Sequence, residues 1–123
     1  MTISEAIAKV DSLKPNGYSD NDKIGWLSLA DGMIKNNIID THEGGENVIF
    51  NGYDESTSID TELIVKAPYD EMYLSWLSSK IDFFNGEYAR YNNNITRFND
   101  TLTAYKNYYT RTHMPKGKTI KYF

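Results

Sequence analysis

The chain has 123 residues, a formal net charge of −4 and 40% hydrophobic residues, which is enough for one domain with a modest core. It holds no cysteine, which excludes disulfides, thiolate nucleophiles and zinc–thiolate sites and fits a reducing compartment. No run approaches the roughly 18 apolar residues of a membrane span, and the start, Met1 to Val10, has neither the basic nor the apolar segment of a signal peptide.

The first helix is predicted from Ile3 to Leu13. Thr2 and Glu5 form a capping box, and Ile3, Ala6, Ile7, Val10 and Leu13 share one apolar face. Pro15, Asn16 and Gly17 end it. A second helix begins after Ser19, with Asp20 and Asp22 at the positive end of its dipole. Its apolar face holds Ile24, Leu27, Ile34 and Ile38, widened by Trp26, Ala30 and Met33. Gly25 and Gly32 weaken this helix, and their spacing allows either close approach of another helix or no role.

Residues 41–67 are irregular, punctuated by Gly44, Gly45 and Gly52 and by an acidic loop from Asp54 to Asp60. Within them Asn47–Phe50 and Glu62–Lys66 are β-prone and are expected to pair as a short hairpin. Asp70 is the expected N-cap of a third helix running from Glu71 to His113.

That third segment carries the strongest pattern in the chain. Leu74, Leu77, Ile81, Phe84, Tyr88, Tyr91, Ile95, Phe98, Leu102, Tyr105 and Tyr109 follow at alternating steps of three and four. Such spacing puts them on one stripe of a helix. Unbroken, the helix would be about 65 Å long, against a radius of gyration of about 14 Å for a compact chain of this size. Gly86 and the triplet Asn92, Asn93, Asn94 are the candidate breakpoints. Because the heptad phase passes both without a slip, the expectation is a bend or break near the triplet that keeps the facing. The fold class is therefore mainly α. Two short N-terminal helices pack on a long, straight or bent C-terminal helix, with an irregular or hairpin insertion.

The seam is a poor two-stranded zipper, because its centre is aromatic and its flanks carry Asn85, Asn92 and Asn99. A second stripe, Trp76, Phe83, Arg90, Arg97, Ala104 and Arg111, turns from apolar to cationic. The expected division is a first half buried on the N-terminal helices and a second half meeting another subunit. Tyr91, Ile95, Phe98, Leu102, Tyr105 and Tyr109 would form that interface, edged by Arg90, Arg97 and Arg111. On this division Phe98→Ala and Tyr105→Ala should harm assembly more than folding. A purely intramolecular bundle is the alternative. Ten tyrosines among 17 aromatics suit either, since tyrosine joins a large apolar body to a polar tip.

Charge is divided along the chain. Residues 1–75 carry 14 Asp and Glu against 5 Lys and Arg, and residues 76–123 carry 3 against 8. Acidic and basic surfaces could mate between copies, or simply solvate separate faces.

No constellation points to catalysis, and no enzyme is expected. Asp40, His42, Glu43 and Glu46 lack the spacing of a metal site and read as a solvated acidic turn. Asp54, Glu55, Asp60 and Glu62 lack the alternating ligands and glycine of a calcium loop, and no phosphate-cradling loop or nucleophile elbow is present. No cofactor or metal is expected. The basic residues interleaved with tyrosines could hold nucleic acid, but they are spaced rather than clustered, and the isoelectric point is near 5.1.

Strings spread over most of the chain resemble a known family. They are Leu13-Lys14-Pro15-Asn16, Tyr18-Ser19-Asp20, Trp26-Leu27-Ser28, Asp31-Gly32, Thr41-His42, Pro68-Tyr69-Asp70, Tyr91-Asn92-Asn93 and Arg111-Thr112-His113-Met114-Pro115. They look like those of small siphophage and prophage head-tail connectors, also called adaptor or head-completion proteins. The resemblance implies a helical virion protein made in the host bacterial cytoplasm. It would form a ring, commonly of twelve copies, between a portal protein and a neck or tail protein. DNA would pass through without sequence-specific binding, and no membrane would be involved. It also implies a C-terminal arm on the portal, here residues 116–123 after a single domain of 1–115, with Lys116, Lys118, Ile120, Lys121, Tyr122 and Phe123 as contacts. The alternatives are a small helical DNA- or partner-binding regulator, or another phage neck or tail assembly protein.

Overall fold

The computed structural model describes residues 1–117. Four helices account for most of them: α1 (Ile3–Leu13), α2 (Asp20–Asn37), α3 (Met72–Phe84) and α4 (Tyr88–Thr112). The fold is mainly α, as the apolar periodicity predicts.

The first two helices start where their caps place them. In α1 the Thr2 hydroxyl accepts from the Glu5 N–H at 3.1 Å, and the Glu5 carboxylate accepts from the Thr2 N–H at 3.0 Å. These bonds satisfy two amides that helix geometry leaves free. In α2 the Ser19 hydroxyl accepts from the Asp22 N–H at 3.1 Å. Asp70 does not cap the next helix. A 3₁₀ turn over Tyr69–Glu71 precedes α3, and the Asp70 carboxylate lies 3.6 Å from the N-terminal ammonium.

The expected single C-terminal helix is instead an antiparallel hairpin of two. Gly86 adopts φ +75°, its N–H donates to the Phe83 carbonyl at 3.1 Å, and the Glu87 N–H donates to the Asp82 carbonyl at 2.8 Å. That pair of bonds is a glycine C-cap, which stops α3 and turns the chain back. Through Asn92–Asn94, the favoured breakpoint, α4 runs unbroken. The Asn94 amide bridges the hairpin, donating to Asp82 Oδ2 at 2.8 Å. The heptad phase survived because the seven-residue step from Ile81 to Tyr88 happens to span the turn, and spacing along a sequence does not register a reversal. Phe84 and Tyr88, the seam members at the turn, are exposed.

The core sits where the hairpin meets the first two helices. Ile3, Ile7 and Val10 of α1 and Ile24, Leu27 and Ile34 of α2 bury against Trp76, Leu77 and Ile81 of α3. Phe98, Tyr105 and Tyr109 close it from α4. Each such side chain contributes about 1.5–3 kcal/mol on burial.

The insertion forms no strand among the described residues, so the expected hairpin of Asn47–Phe50 with Glu62–Lys66 is corrected. Its second run lies along the N-terminus instead. The Ile3 N–H donates to the Thr61 carbonyl and the Leu63 N–H to the Met1 carbonyl, both at 3.0 Å. Leu63 and Val65 point into the core and are fully buried. Gly32 faces the Phe50 ring rather than another helix, and nothing lies near Gly25. At the far end, the Lys116 N–H donates to the Thr41 carbonyl at 3.0 Å, so the folded body reaches past residue 115. Lys118, Ile120, Lys121, Tyr122 and Phe123 lie outside the described residues.

Candidate functional site

The residues predicted to form an interface do not share one surface. Phe98, Tyr105 and Tyr109 are buried inside the chain, with 2%, 6% and 6% of their surfaces exposed. Phe98 packs on Trp76 with ring centres 4.9 Å apart, and Tyr105 lies against Tyr69 at 5.8 Å. Burial pushes the Tyr105 hydroxyl up to about 12. These three belong to the fold of one subunit because the hairpin turns α4 back onto α3. Tyr91, Ile95 and Leu102 are half-buried along its edge, while Arg90, Arg97 and Arg111 face solvent. Arg90 is held by Glu87 at 2.8 Å, an exposed pair of small energetic weight.

The hairpin turn creates a different surface. Tyr18, Trp26, Phe83, Phe84, Tyr88 and Tyr91 gather at this end of the molecule. Trp26 stacks on Phe84 with centres 5.7 Å apart and planes 12° from parallel, and Tyr18 meets the Trp26 ring edge-on at 5.6 Å. Phe83 touches Phe84, Tyr88 and Tyr91 at 5.3, 6.0 and 5.4 Å. Phe83, Phe84 and Tyr88 remain 45%, 56% and 60% exposed. The three rings together form an exposed apolar patch at the hairpin turn. The sequence contained the signal, in the aromatics flanking Gly86, but the expectation of a bend or break near Asn92–Asn94 that keeps the facing hid it.

Three buried polar nodes also escaped sequence reasoning. The completely buried Asp31 carboxylate accepts from the Tyr73 hydroxyl at 2.5 Å, the Tyr53 hydroxyl at 2.6 Å and the Ile64 N–H at 3.1 Å. The Tyr73 hydroxyl in turn accepts from the Val65 N–H at 2.9 Å. Burial raises the Asp31 carboxyl above its ordinary range despite these donors, and it raises both tyrosine hydroxyls well above theirs. The node fastens the insertion to α2 and α3. Its signal was a lone carboxylate on the apolar stripe of α2, between Leu27 and Ile34. Buried Lys23 donates to Asp11 at 2.8 Å and to the Tyr18 carbonyl at 2.9 Å. Buried Asp82 accepts from Lys14 at 2.6 Å, joining the end of α1 to the hairpin.

The acidic turn is less solvated than expected. His42 is buried, edge-on to Tyr109 at 5.1 Å, with Nε2 3.0 Å from the Thr110 hydroxyl and Nδ1 2.6 Å from the Ile38 carbonyl. Asp40 pairs with Lys35, while Glu43 and Glu46 face solvent. Among the described residues no group of three metal-capable side chains converges, and no helix is long and apolar enough to cross a membrane. Comparison with protein-family models, curated proteins and solved structures returned no match.

Proposed function

We propose that this chain is a structural protein of the bacteriophage neck. In this reading it is a head-tail connector that forms a ring between the portal and a neck or tail protein and prolongs the DNA channel. The reading is carried by the exposed aromatic end at Phe83, Phe84 and Tyr88. These rings make part of their contacts within the subunit, and the surface they leave exposed suits a neighbouring protein in an assembly. The family resemblance of the strings from Leu13 to Pro115 supplies the kind of assembly.

In this reading no bond is made or broken. Burial of aromatic surface drives association, and Arg97 and Arg111 are exposed on α4, available to phosphates or to acidic neighbours. Lys116 leads into the segment proposed to reach the portal.

The test is to incubate purified chain with portal rings and image the product by electron microscopy. A ring of copies stacked on the portal is the expected result. A chain that ignores portals, stays monomeric, and binds duplex DNA at sub-micromolar strength with a steep loss in salt is a regulator instead.

A further inference from the structure

The surface holds a concave feature beside the convex aromatic end. Between α2 and α4 runs a groove of about 320 Å³ whose floor is Trp76 and Phe98. Met33, Ile95 and Leu102 form its apolar walls. Cations border it. The Lys80 ammonium lies 4.6 Å above the Trp76 ring, and Lys106 stands on the α4 wall. Neither lysine makes an ion pair among the described residues, and Asp22, which lies against Tyr18, Trp26 and Phe84 at the aromatic end, makes none there either.

One molecule cannot fill its own groove. Tyr88 opens α4, and the groove walls Ile95 and Leu102 lie seven and fourteen residues along the same helix, so the rings and the groove are held about 10–20 Å apart on one rigid rod. Only a second molecule brings such a pair together.

We propose that the aromatic end of one copy, Phe83, Phe84 and Tyr88, seats in the α2–α4 groove of a second copy. The inference deepens the assembly reading and rests on it for the identity of the partner. Rings enter an apolar slot floored by Trp76 and Phe98, while Asp22 approaches the cations Lys80 and Lys106. Three half-exposed aromatics and the groove walls bury a few hundred square ångströms per partner, less than the roughly 1,000 Å² in total that a specific interface clears on its own. The contact is therefore weak between two free copies and gains strength when a ring closes or a template gathers the subunits.

The absence of cysteine makes the contact directly testable. Glu87→Cys places a thiol beside the aromatic end without removing a ring, and Thr103→Cys places one on the groove wall; both positions are exposed. The two single variants are mixed near about 1 mM, the regime of weak complexes, and oxidised. The expected product is a mixed 87–103 disulfide dimer, about tenfold above either homodimer and above a control mixture of Glu87→Cys with exposed Ser12→Cys. Adding Phe84→Ser to the Glu87→Cys chain should abolish that excess while helicity is unchanged. A mixed dimer no more abundant than the control, a dominant 87–87 dimer, or an excess untouched by Phe84→Ser overturns the proposal. The portal experiment fails separately. Assembly on portals without an 87–103 link ends this inference alone, and the link in a chain that ignores portals ends only the connector reading.

Discussion

Replacing Tyr73 by Phe removes one oxygen and strips the partner from two buried atoms, the Val65 N–H and Asp31 Oδ1, while Asp31 Oδ2 keeps Tyr53 and Ile64. The Tyr73 hydroxyl donates to Asp31 at 2.5 Å and accepts from the Val65 N–H at 2.9 Å, and both Asp31 and Val65 are fully buried. A buried polar group left without a partner costs about 1–3 kcal/mol, so the variant should lose about 2–5 kcal/mol. That is a large share of the roughly 5–15 kcal/mol typical of a folded domain. At about 4 °C per kcal/mol for a chain of this size, the melting temperature falls by roughly 8–20 °C. Urea unfolding followed by far-ultraviolet circular dichroism gives the free energy directly, provided the slope against denaturant is unchanged. Tyr53→Phe is the internal control. Its hydroxyl sits nearer solvent, where water replaces it, so about 1 kcal/mol is expected. A Tyr73→Phe loss below about 0.5 kcal/mol would show that the node does not hold the insertion.

Asp31 has a raised carboxyl pKa, so the folded state holds its proton more tightly than the unfolded state. Its contribution is complete below the unfolded value near 3.8 and is lost as pH rises through the folded one. Subtracting the Asp31→Asn stability profile from that of the parent should leave a component that falls with rising pH, and a rising component refutes the assignment. Gly25 lies inside α2 with open space where a Cβ would go, so Gly25→Ala should stabilise by about 0.5–1 kcal/mol in thermal melts. No gain would mean the helix is not solvent-facing there. Phe98→Ala should cost about 3–5 kcal/mol of subunit stability, reversing the expectation that it chiefly harms assembly. Unfolding curves that match the parent would place Phe98 outside the core. Lys14→Ala leaves the buried Asp82 carboxylate with Asn94 alone, and a loss of about 3 kcal/mol is expected by chemical denaturation.

Local signals in the sequence were reliable where a motif acts over a few residues. The Thr2–Glu5 box and the Ser19 cap set the starts of α1 and α2 because each bond closes within three residues. The long third helix misled because periodicity reports which face is apolar and says nothing about direction of travel. Gly86 was visible as a breaker, yet only its left-handed conformation makes it a reversal. Asp70 failed as a cap because the chain enters α3 through a 3₁₀ turn that holds Asp70 inside it and puts Glu71 at the position before Met72. The aromatic end and the Asp31 node were illegible for a related reason. Their members come from distant parts of the sequence, Tyr18 with Phe84 and Asp31 with Tyr73, and packing alone unites them.

The reversal at Gly86 also shapes how the chain reaches its final form. Closing α3 onto α4 demands only a three-residue connection, Asn85–Glu87, so the loop-entropy barrier to that pairing is small and the hairpin can nucleate early. Docking of α1 and α2, separated from it by the 41–67 segment, closes longer loops and would come later. The rings at the tip are consequently displayed from the first moments of folding. A crowded nascent pool would then meet its adhesive patch before its core is sealed, which favours low expression temperature and dilute refolding for recovery of single subunits.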